Sequence, residues 1–444
     1  LYGKKSGGGI RLIIKNARRI CHENTLEDCE ILIEGNKIKE IARTIDVCPG
    51  EVVMDARGML VTPGFIDVHV HLREPGFEYK ETIRTGARAG VAGGYTTLFA
   101  MPNTMPSPDN AETLRMLRKK AAKDALIRCE FYSTITKGEK GMELVDFRAQ
   151  KEAGAIGFSD DGKGVQDAGQ MYKAMLGVKE VDAVIAAHCE DESMLFGGYI
   201  NDGEYAKAHN HSGIHPLTEE LQIIRDAAIS EDTGCRYHIC HMSTEKGVRT
   251  LERAKRDGVR ISGEVTPHHL LLSEDDLEEN GNFKMNPPLR LRKDQQALVK
   301  GLEEGVIDII ATDHAPHSEE EKSGGLRYSA FGIVGLETSF SLLYTELVLK
   351  GKVSLKRLVD AMTVGPMKLF GLPYGSLEEG KIADLTLIDL KKEWVIDREN
   401  FQSKGKNTPF HGYRVQAKVD TVIYGGQVVL RNGEIVIREG ESVG

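Results

Sequence analysis

The sequence predicts an α/β fold, a (β/α)8 TIM-type barrel with a small β-sandwich domain formed from both chain ends. Short β-branched runs broken by turn residues open and close the chain. Between them, short apolar runs alternate with amphipathic stretches over roughly three hundred residues, the pattern of βα units and a parallel sheet. Polar residues suited to metal chemistry recur at the ends of six of the eight apolar runs, where such barrels carry their sites. The expected division is a lead-in or tag over 1–9, the sandwich over 10–62 and 376–444, and the barrel over 63–375.

Taken in order, the first residues L-Y-G-K-K-S-G-G-G lack the apolar core of a signal peptide and read as a flexible lead-in. The runs R-L-I-I-K-N, C-E-I-L-I-E-G-N-K-I-K-E-I and E-V-V-M-D-A follow, with Gly35-Asn36 and Pro49-Gly50 as turns. The same texture returns at 381–390 and 419–437, with hairpin turns at Gly425-Gly426 and Asn432-Gly433. Barrel strands are expected at 65–71, 95–101, 128–135, 155–160, 183–188, 236–241, 260–266 and 306–312. Helical spacing between them puts Leu114, Leu117 and Ala121 on one buried face, Leu217, Leu221, Ile224 and Ala228 on a second, and Val248, Leu251 and Ala254 on a third. Gly93-Gly94 and Asp257-Gly258 end helices before strands.

Composition narrows the function. The formal net charge is −9 and no Lys/Arg block is interleaved with aromatics, which argues against nucleic acid and for a small substrate. Seven cysteines, scattered without a C-x-x-C pair, suggest neither a disulfide framework nor a zinc knuckle, and point to a reducing, cytoplasmic setting. No apolar run is long enough for a membrane helix.

The chemistry concentrates first in G-F-I-D-V-H-V-H-L-R-E-P-G, residues 64–76. Strand alternation puts Asp67, His69 and His71 on one face, so two imidazoles at a strand end can chelate one metal. Asn103 follows the second expected strand, Asp160-Asp161 the fourth, His188 the fifth, His241 the sixth and Asp313 the eighth. Four histidines and two carboxylates suffice for two divalent ions sharing a bridging group; zinc suits the set, and Mn²⁺ or Co²⁺ would accept it. A hydroxide held between two metals is nucleophilic at neutral pH, and a carboxylate beside it can pass its proton to a leaving nitrogen, which is metal-assisted hydrolysis.

The motifs D-V-H-V-H-L-R-E-P-G, A-M-P-N-T, F-S-D-D-G, A-A-H-C-E-D, H-I-C-H-M-S and I-A-T-D-H-A-P-H span nearly the whole chain in this order. The sequence thereby resembles the cyclic amidohydrolases, most closely the bacterial type I dihydroorotases. The resemblance implies reversible hydrolysis of (S)-dihydroorotate to N-carbamoyl-L-aspartate in pyrimidine (UMP) biosynthesis. It implies two Zn²⁺ per subunit, with His69 and His71 on one metal, His188 and His241 on the other, Asp161 bridging, and Asp313 as a ligand that shuttles the proton. Arg73 and Asn103 are expected to hold the substrate carboxylate, and Asn286 and His317 to make further substrate contacts.

Some relatives bridge with a carboxylated lysine, but here the fourth strand ends G-F-S-D-D-G, so Asp161 is favoured over Asp160, with Lys163 too far past the strand. Arg73 favours dihydroorotase over the alternative readings, an allantoinase- or hydantoinase-type cyclic amidase. A non-catalytic scaffold for aspartate transcarbamoylase would lack ligands, and here every position is filled. A homodimer is expected, and an association with aspartate transcarbamoylase is left open.

Other residues read as structural. Cys189 and Cys240 adjoin ligand histidines, but alternation turns them into the core. His268-His269 is left out of the ligand set, His209, His211 and His215 read as a solvated loop, and 318–330 reads as a mobile loop over the site.

Overall fold

The computed structural model describes residues 11–21 and 24–436; the lead-in expected over 1–9 and the last residue of the expected 419–437 run lie outside the described residues. Five strands come first: β1 (Arg11–Ile20), β2 (Leu26–Glu34), β3 (Lys37–Ala42), β4 (Val52–Asp55) and β5 (Leu60–Pro63). β2 and β3 are joined by the turn at Gly35-Asn36, where Gly35 takes φ 61°, a conformation that favours glycine.

The middle of the chain carries parallel strands β6 (Phe65–Val70), β7 (Tyr95–Ala100), β8 (Arg128–Phe131) and β9 (Val184–Ala187). A two-stranded pair, β10 (Ile200–Asn201) and β11 (Gly213–Ile214), precedes β12 (Arg236–Ile239), β13 (Ile261–Val265) and β14 (Ile309–Ile310). The last strands are β15 (Leu385–Val395), β16 (Arg414–Tyr424), β17 (Gln427–Arg431) and β18 (Glu434–Ile435).

β5 and β15 pair antiparallel, Thr62 opposite Thr386, and this joins the two chain ends into one nine-stranded sheet of order β18-β17-β16-β15-β5-β1-β2-β3, with β4 on β1. Alternating residues Ile31, Ile33, Leu385, Leu387 and Ile423 form its apolar core.

Among the parallel strands, β6-β7-β8 form one ladder and β14-β13-β12-β9 another. Single parallel bridges connect Ser133 to Phe158, Phe158 to Ile185, and Val70 to His314, so the path from β6 through β14 returns to β6.

The regular strands are shorter than expected. The third ends at Phe131, the fourth is reduced to the bridge at Phe158, and the eighth to Ile309–Ile310. Beyond these ends, carboxylates take backbone donors that a ladder would otherwise use. Asp160 accepts from the amides of Ile135 at 2.7 Å and Thr136 at 3.1 Å. Asp67 accepts from the Thr312 amide at 3.2 Å and its hydroxyl at 2.6 Å.

Helices pack outside these strands. Leu114, Leu117 and Ala121 are buried on the helix Ala111–Asp124, as are Val248, Leu251 and Ala254 on Glu245–Arg256, as their spacing predicts. The helix Leu217–Thr233 corrects the expectation. Leu221 and Ile224 are each 40% exposed, and Ala228 is exposed too.

The buried face of this helix lies one position over, at Thr218, Glu219, Gln222, Ile223, Asp226, Ala227 and Ser230. Its polar members are satisfied, so they can be buried: Glu219 accepts from the Ser243 amide at 3.0 Å, Gln222 from the Glu190 amide at 3.0 Å, and Asp226 from the Tyr237 hydroxyl at 2.7 Å. Counting apolar residues alone misses such a face.

Cys189 and Cys240 sit in the core. Of the three loop histidines, His209 and His215 are exposed, but His211 is held between the Tyr199 hydroxyl at 2.8 Å and Glu279 at 2.7 Å. No helix of the described residues is long and apolar enough to cross a membrane.

The corrected helix face gives a direct test by chemical denaturation. Ile223→Ala should cost about 2–5 kcal/mol, as a buried large-to-small change. Leu221→Lys should stay within about 0.5 kcal/mol of the parent, as a surface change. A costly Leu221→Lys with a harmless Ile223→Ala would restore the face read from spacing.

Candidate metal centre and substrate pocket

His69 lies within β6 and His71 one residue past its end, so both rings point to the same side. His69 donates Nδ1–H to Glu264 Oε1 at 2.7 Å, and His71 donates Nδ1–H to Asn103 Oδ1 at 3.0 Å. Each ring therefore turns Nε2 inward, the arrangement by which an outer carboxylate or carbonyl orients a metal-binding imidazole. His69 Nε2 lies 3.4 Å from both Asp161 Oδ1 and Asp313 Oδ1, and His71 Nε2 lies 3.0 Å from Asp313 Oδ1. Across the site, His188 Nδ1 is 3.0 Å from His241 Nε2, and that nitrogen is 3.9 Å from Asp161 Oδ1. Asp161 Oδ1 thus stands between the two histidine pairs.

These atoms fit divalent metal. With bonds of about 2.0–2.2 Å, ligand atoms around one ion lie roughly 3–3.5 Å apart. His69 with His71 and Asp313 forms one group of donor atoms lying within 4.8 Å of one another, and His69 with Asp161 and His241 forms another. His69 Nε2 and Asp161 Oδ1 are buried with no hydrogen-bond partner, a cost that a cation removes.

The electrostatics prepare the same state. Burial opposes the charge of Asp161, yet His69, His71 and His188 hold its carboxyl far below the usual range. Asp313 is likewise opposed by burial and held low by its contact with His71 and by His69. Burial, with His188 and His69 nearby, drives His241 down to about 3, which keeps the ring neutral, the form in which imidazole binds metal. Burial disfavours the charged His69, but Asp161 and Glu264 outweigh it and raise the ring well above its ordinary value. That protonation is what a cation would displace.

Three of these residues hold left-handed backbone without being glycine: Arg73 at φ 61°, His241 at 32° and Asp313 at 49°. Such conformations cost about 1–3 kcal/mol each and persist where the surroundings over-determine them, often at functional sites.

The expected substrate residues divide. The Arg73 side chain donates Nε–H to the Pro316 carbonyl at 3.3 Å and lies 3.2 Å from His317 Nε2, so the two sit together with guanidinium donors to spare. Asn103 bonds two of the clustered residues, its Nδ2 donating to Asp161 Oδ2 at 3.1 Å while its Oδ1 holds His71. Asn286 Nδ2 donates to both oxygens of Glu190, at 3.0 and 3.1 Å, and its Oδ1 is buried without a partner. Asp160 is spent on the backbone at 135 and 136, and Lys163 is half-exposed toward Glu139.

The stretch expected as a mobile loop forms two helical turns, Glu319–Lys322 and Gly325–Tyr328. Buried Lys322 fastens it, donating to the carbonyls of Lys284 at 3.0 Å, Ala330 at 2.8 Å and Gly332 at 2.8 Å. Glu321 ties it to Lys80 at 2.8 Å and to His317 at 3.1 Å.

Sequence reasoning missed Glu264, which also accepts from His238 at 2.9 Å and is held down to about 2 because His69 and His238 outweigh its burial. A glutamate inside the apolar run I-S-G-E-V was its signal. Glu190, beside His188 at 3.6 Å, was also missed, and only its place two residues after that histidine hinted at it.

Residues 58–247 match the model of a family described as Dihydro-orotase-like. The chain is 52% identical over 401 residues to a dihydroorotase from Listeria innocua, covering 90% of this chain and 94% of that one. It is 49% identical over the same length to a dihydroorotase from Bacillus subtilis, with the same coverage. Among solved structures it is similar to an L-hydantoinase (dihydropyrimidinase) from Arthrobacter aurescens, at TM-score 0.87 and 28% identity over 97% of this chain and 98% of that one. A D-hydantoinase (dihydropyrimidinase) from a Thermus species gives TM-score 0.83 at 28% identity, covering 97% of each chain.

The Glu264 contact yields a prediction. Glu264→Gln should weaken metal retention about 10- to 100-fold against a competing chelator, because the residue orients His69 through its outer Nδ1. Unchanged retention would show that His69 needs no such support.

Proposed function

The chain belongs to the dihydroorotase family, and from that premise we propose that its site hydrolyses (S)-dihydroorotate reversibly to N-carbamoyl-L-aspartate with two zinc ions. His69 and His71 would hold one ion and His188 and His241 the other, with Asp161 between them and Asp313 completing the set. The closed path of parallel strands is read as the (β/α)8 barrel over 63–375, and the nine-stranded sheet as the β-sandwich of 10–62 and 376–444.

The observation that carries the substrate assignment is Arg73, set on left-handed backbone two residues past His71 and beside His317. Dihydroorotate bears a carboxylate on its ring, and a guanidinium offers the planar fork that pairs with one. The bound ions supply a Lewis acid and lower the pKa of water.

The residues supply the rest. Arg73 and His317 fix the carboxylate end, which sets the ring's orientation; Asn103 joins them once substrate competes for its amide. Asp161 keeps the two histidine pairs at a fixed separation. Asp313, anionic between His69 and His71, takes the proton of the attacking water on its carboxylate. It then gives that proton to the ring nitrogen as the C–N bond breaks, and in ring closure it takes the proton back.

Parallel assays of dihydroorotate, allantoin and hydantoin on one zinc-loaded preparation test the reading. Dihydroorotate should be strongly preferred. Arg73→Ala should lower kcat/KM for it by about 10²-fold or more at unchanged zinc content, with lysine a poor substitute. Asp313→Asn should lose about 10²- to 10⁴-fold in both directions. A preference for hydantoin or allantoin, or full activity in Arg73→Ala, would refute the carboxylate assignment.

A further inference from the structure

The buried polar atoms left without partners sort this side of the site. His69 Nε2, Asp161 Oδ1 and His241 Nδ1 belong to residues of the metal set; Asn286 Oδ1 and His268 Nε2 do not. His268 lies three residues beyond β13, and β13 is hydrogen-bonded between β12, which leads to His241, and β14, which leads to Asp313. All three residues therefore leave neighbouring parallel strands at the same end. His268 is 2% exposed, and its ring lies within electrostatic range of both Asp313 and His241.

Its neighbour explains how that ring is held. His269 is fully engaged, donating Nε2–H to the Pro287 carbonyl at 2.9 Å while its Nδ1 accepts from the Thr266 hydroxyl at 2.7 Å. The His268 ring packs on it with centroids 4.4 Å apart. Pro287 follows Asn286, so the same anchor places both unpartnered atoms. Burial and His269, reinforced by His241, press His268 well below its ordinary value despite Asp313, which keeps it neutral with one N–H to give.

We propose that His268 is a substrate-binding residue that reads the ureide edge of the ring, its Nε2–H donating to the ring carbonyl flanked by two nitrogens while Asn286 Oδ1 accepts from an adjacent ring N–H. A donor and an acceptor match the C=O and N–H of a cyclic ureide. An unpaired buried polar group is costly unless a ligand supplies its partner, and the ring supplies both. The inference rests on the functional reading above and adds the far end of the ring to it, since Arg73 accounts only for the carboxylate.

Kinetics of zinc-loaded His268→Leu and His268→Gln on dihydroorotate, with metal content and thermal midpoint measured alongside, test this. One lost neutral hydrogen bond predicts about a tenfold fall in kcat/KM for His268→Leu, carried mainly by KM, with zinc retained. Glutamine, which keeps an N–H donor, should recover part of it. N-carbamoyl-L-aspartate should raise the midpoint of the leucine variant less than that of the parent.

A leucine variant within twofold of the parent in kcat/KM would overturn the inference while leaving the functional reading intact. Loss of zinc or unfolding in both variants would make His268 structural and overturn it too. A parent protein with no dihydroorotate hydrolysis would overturn both.

Discussion

Asp161 Oδ1 is a buried carboxylate oxygen with His69 Nε2 at 3.4 Å and His241 Nε2 at 3.9 Å. An anion in so dry a place is affordable only among partners that favour its charge. The rest of the centre follows from supplying them. His69 must face inward, so Glu264 takes its outer N–H; His71 must do the same, so Asn103 takes its. Asn103 in turn steadies Asp161 itself. Each constraint is local and polar, and together they leave His69 Nε2 and Asp161 Oδ1 buried without a hydrogen-bond partner, a place that a cation fits.

The fold bears the cost of this arrangement. Left-handed backbone at Arg73, His241 and Asp313 is held by the strands beneath, and Asp67 ties β6 to the Thr312 end of β14. Asp160, next to Asp161, is occupied with the backbone at 135 and 136, which fixes the turn that presents Asp161. The pairing of β5 with β15 joins the two chain ends in one sheet.

Much of this was legible because it is carried by period and spacing. The H-V-H alternation gives the inward pair, and the helices Ala111–Asp124 and Glu245–Arg256 bury the faces their apolar spacing marks. What failed did so for a single physical reason: polar groups that satisfy one another can be buried, and hydrophobicity does not reveal them. Glu219, Gln222 and Asp226 carry the buried face of their helix, while Leu221 and Ile224 face out. Asp67 and Asp160 take the backbone donors of Thr312 and Ile135, within runs that apolar character suggested were strand to their ends. Lys322 fastens a segment that its charges and glycines marked as loose. Asn103 also bonds His71 and Asp161, a pairing between strand ends that no single motif contains.

The central claim is that these six donors hold two catalytic ions. It is tested most directly by stripping the protein with a chelator and titrating Zn²⁺ back while following dihydroorotate hydrolysis. The account predicts no turnover in the stripped protein and a rise that levels off at about two equivalents per chain. Full turnover in protein shown by elemental analysis to be free of metal would contradict it.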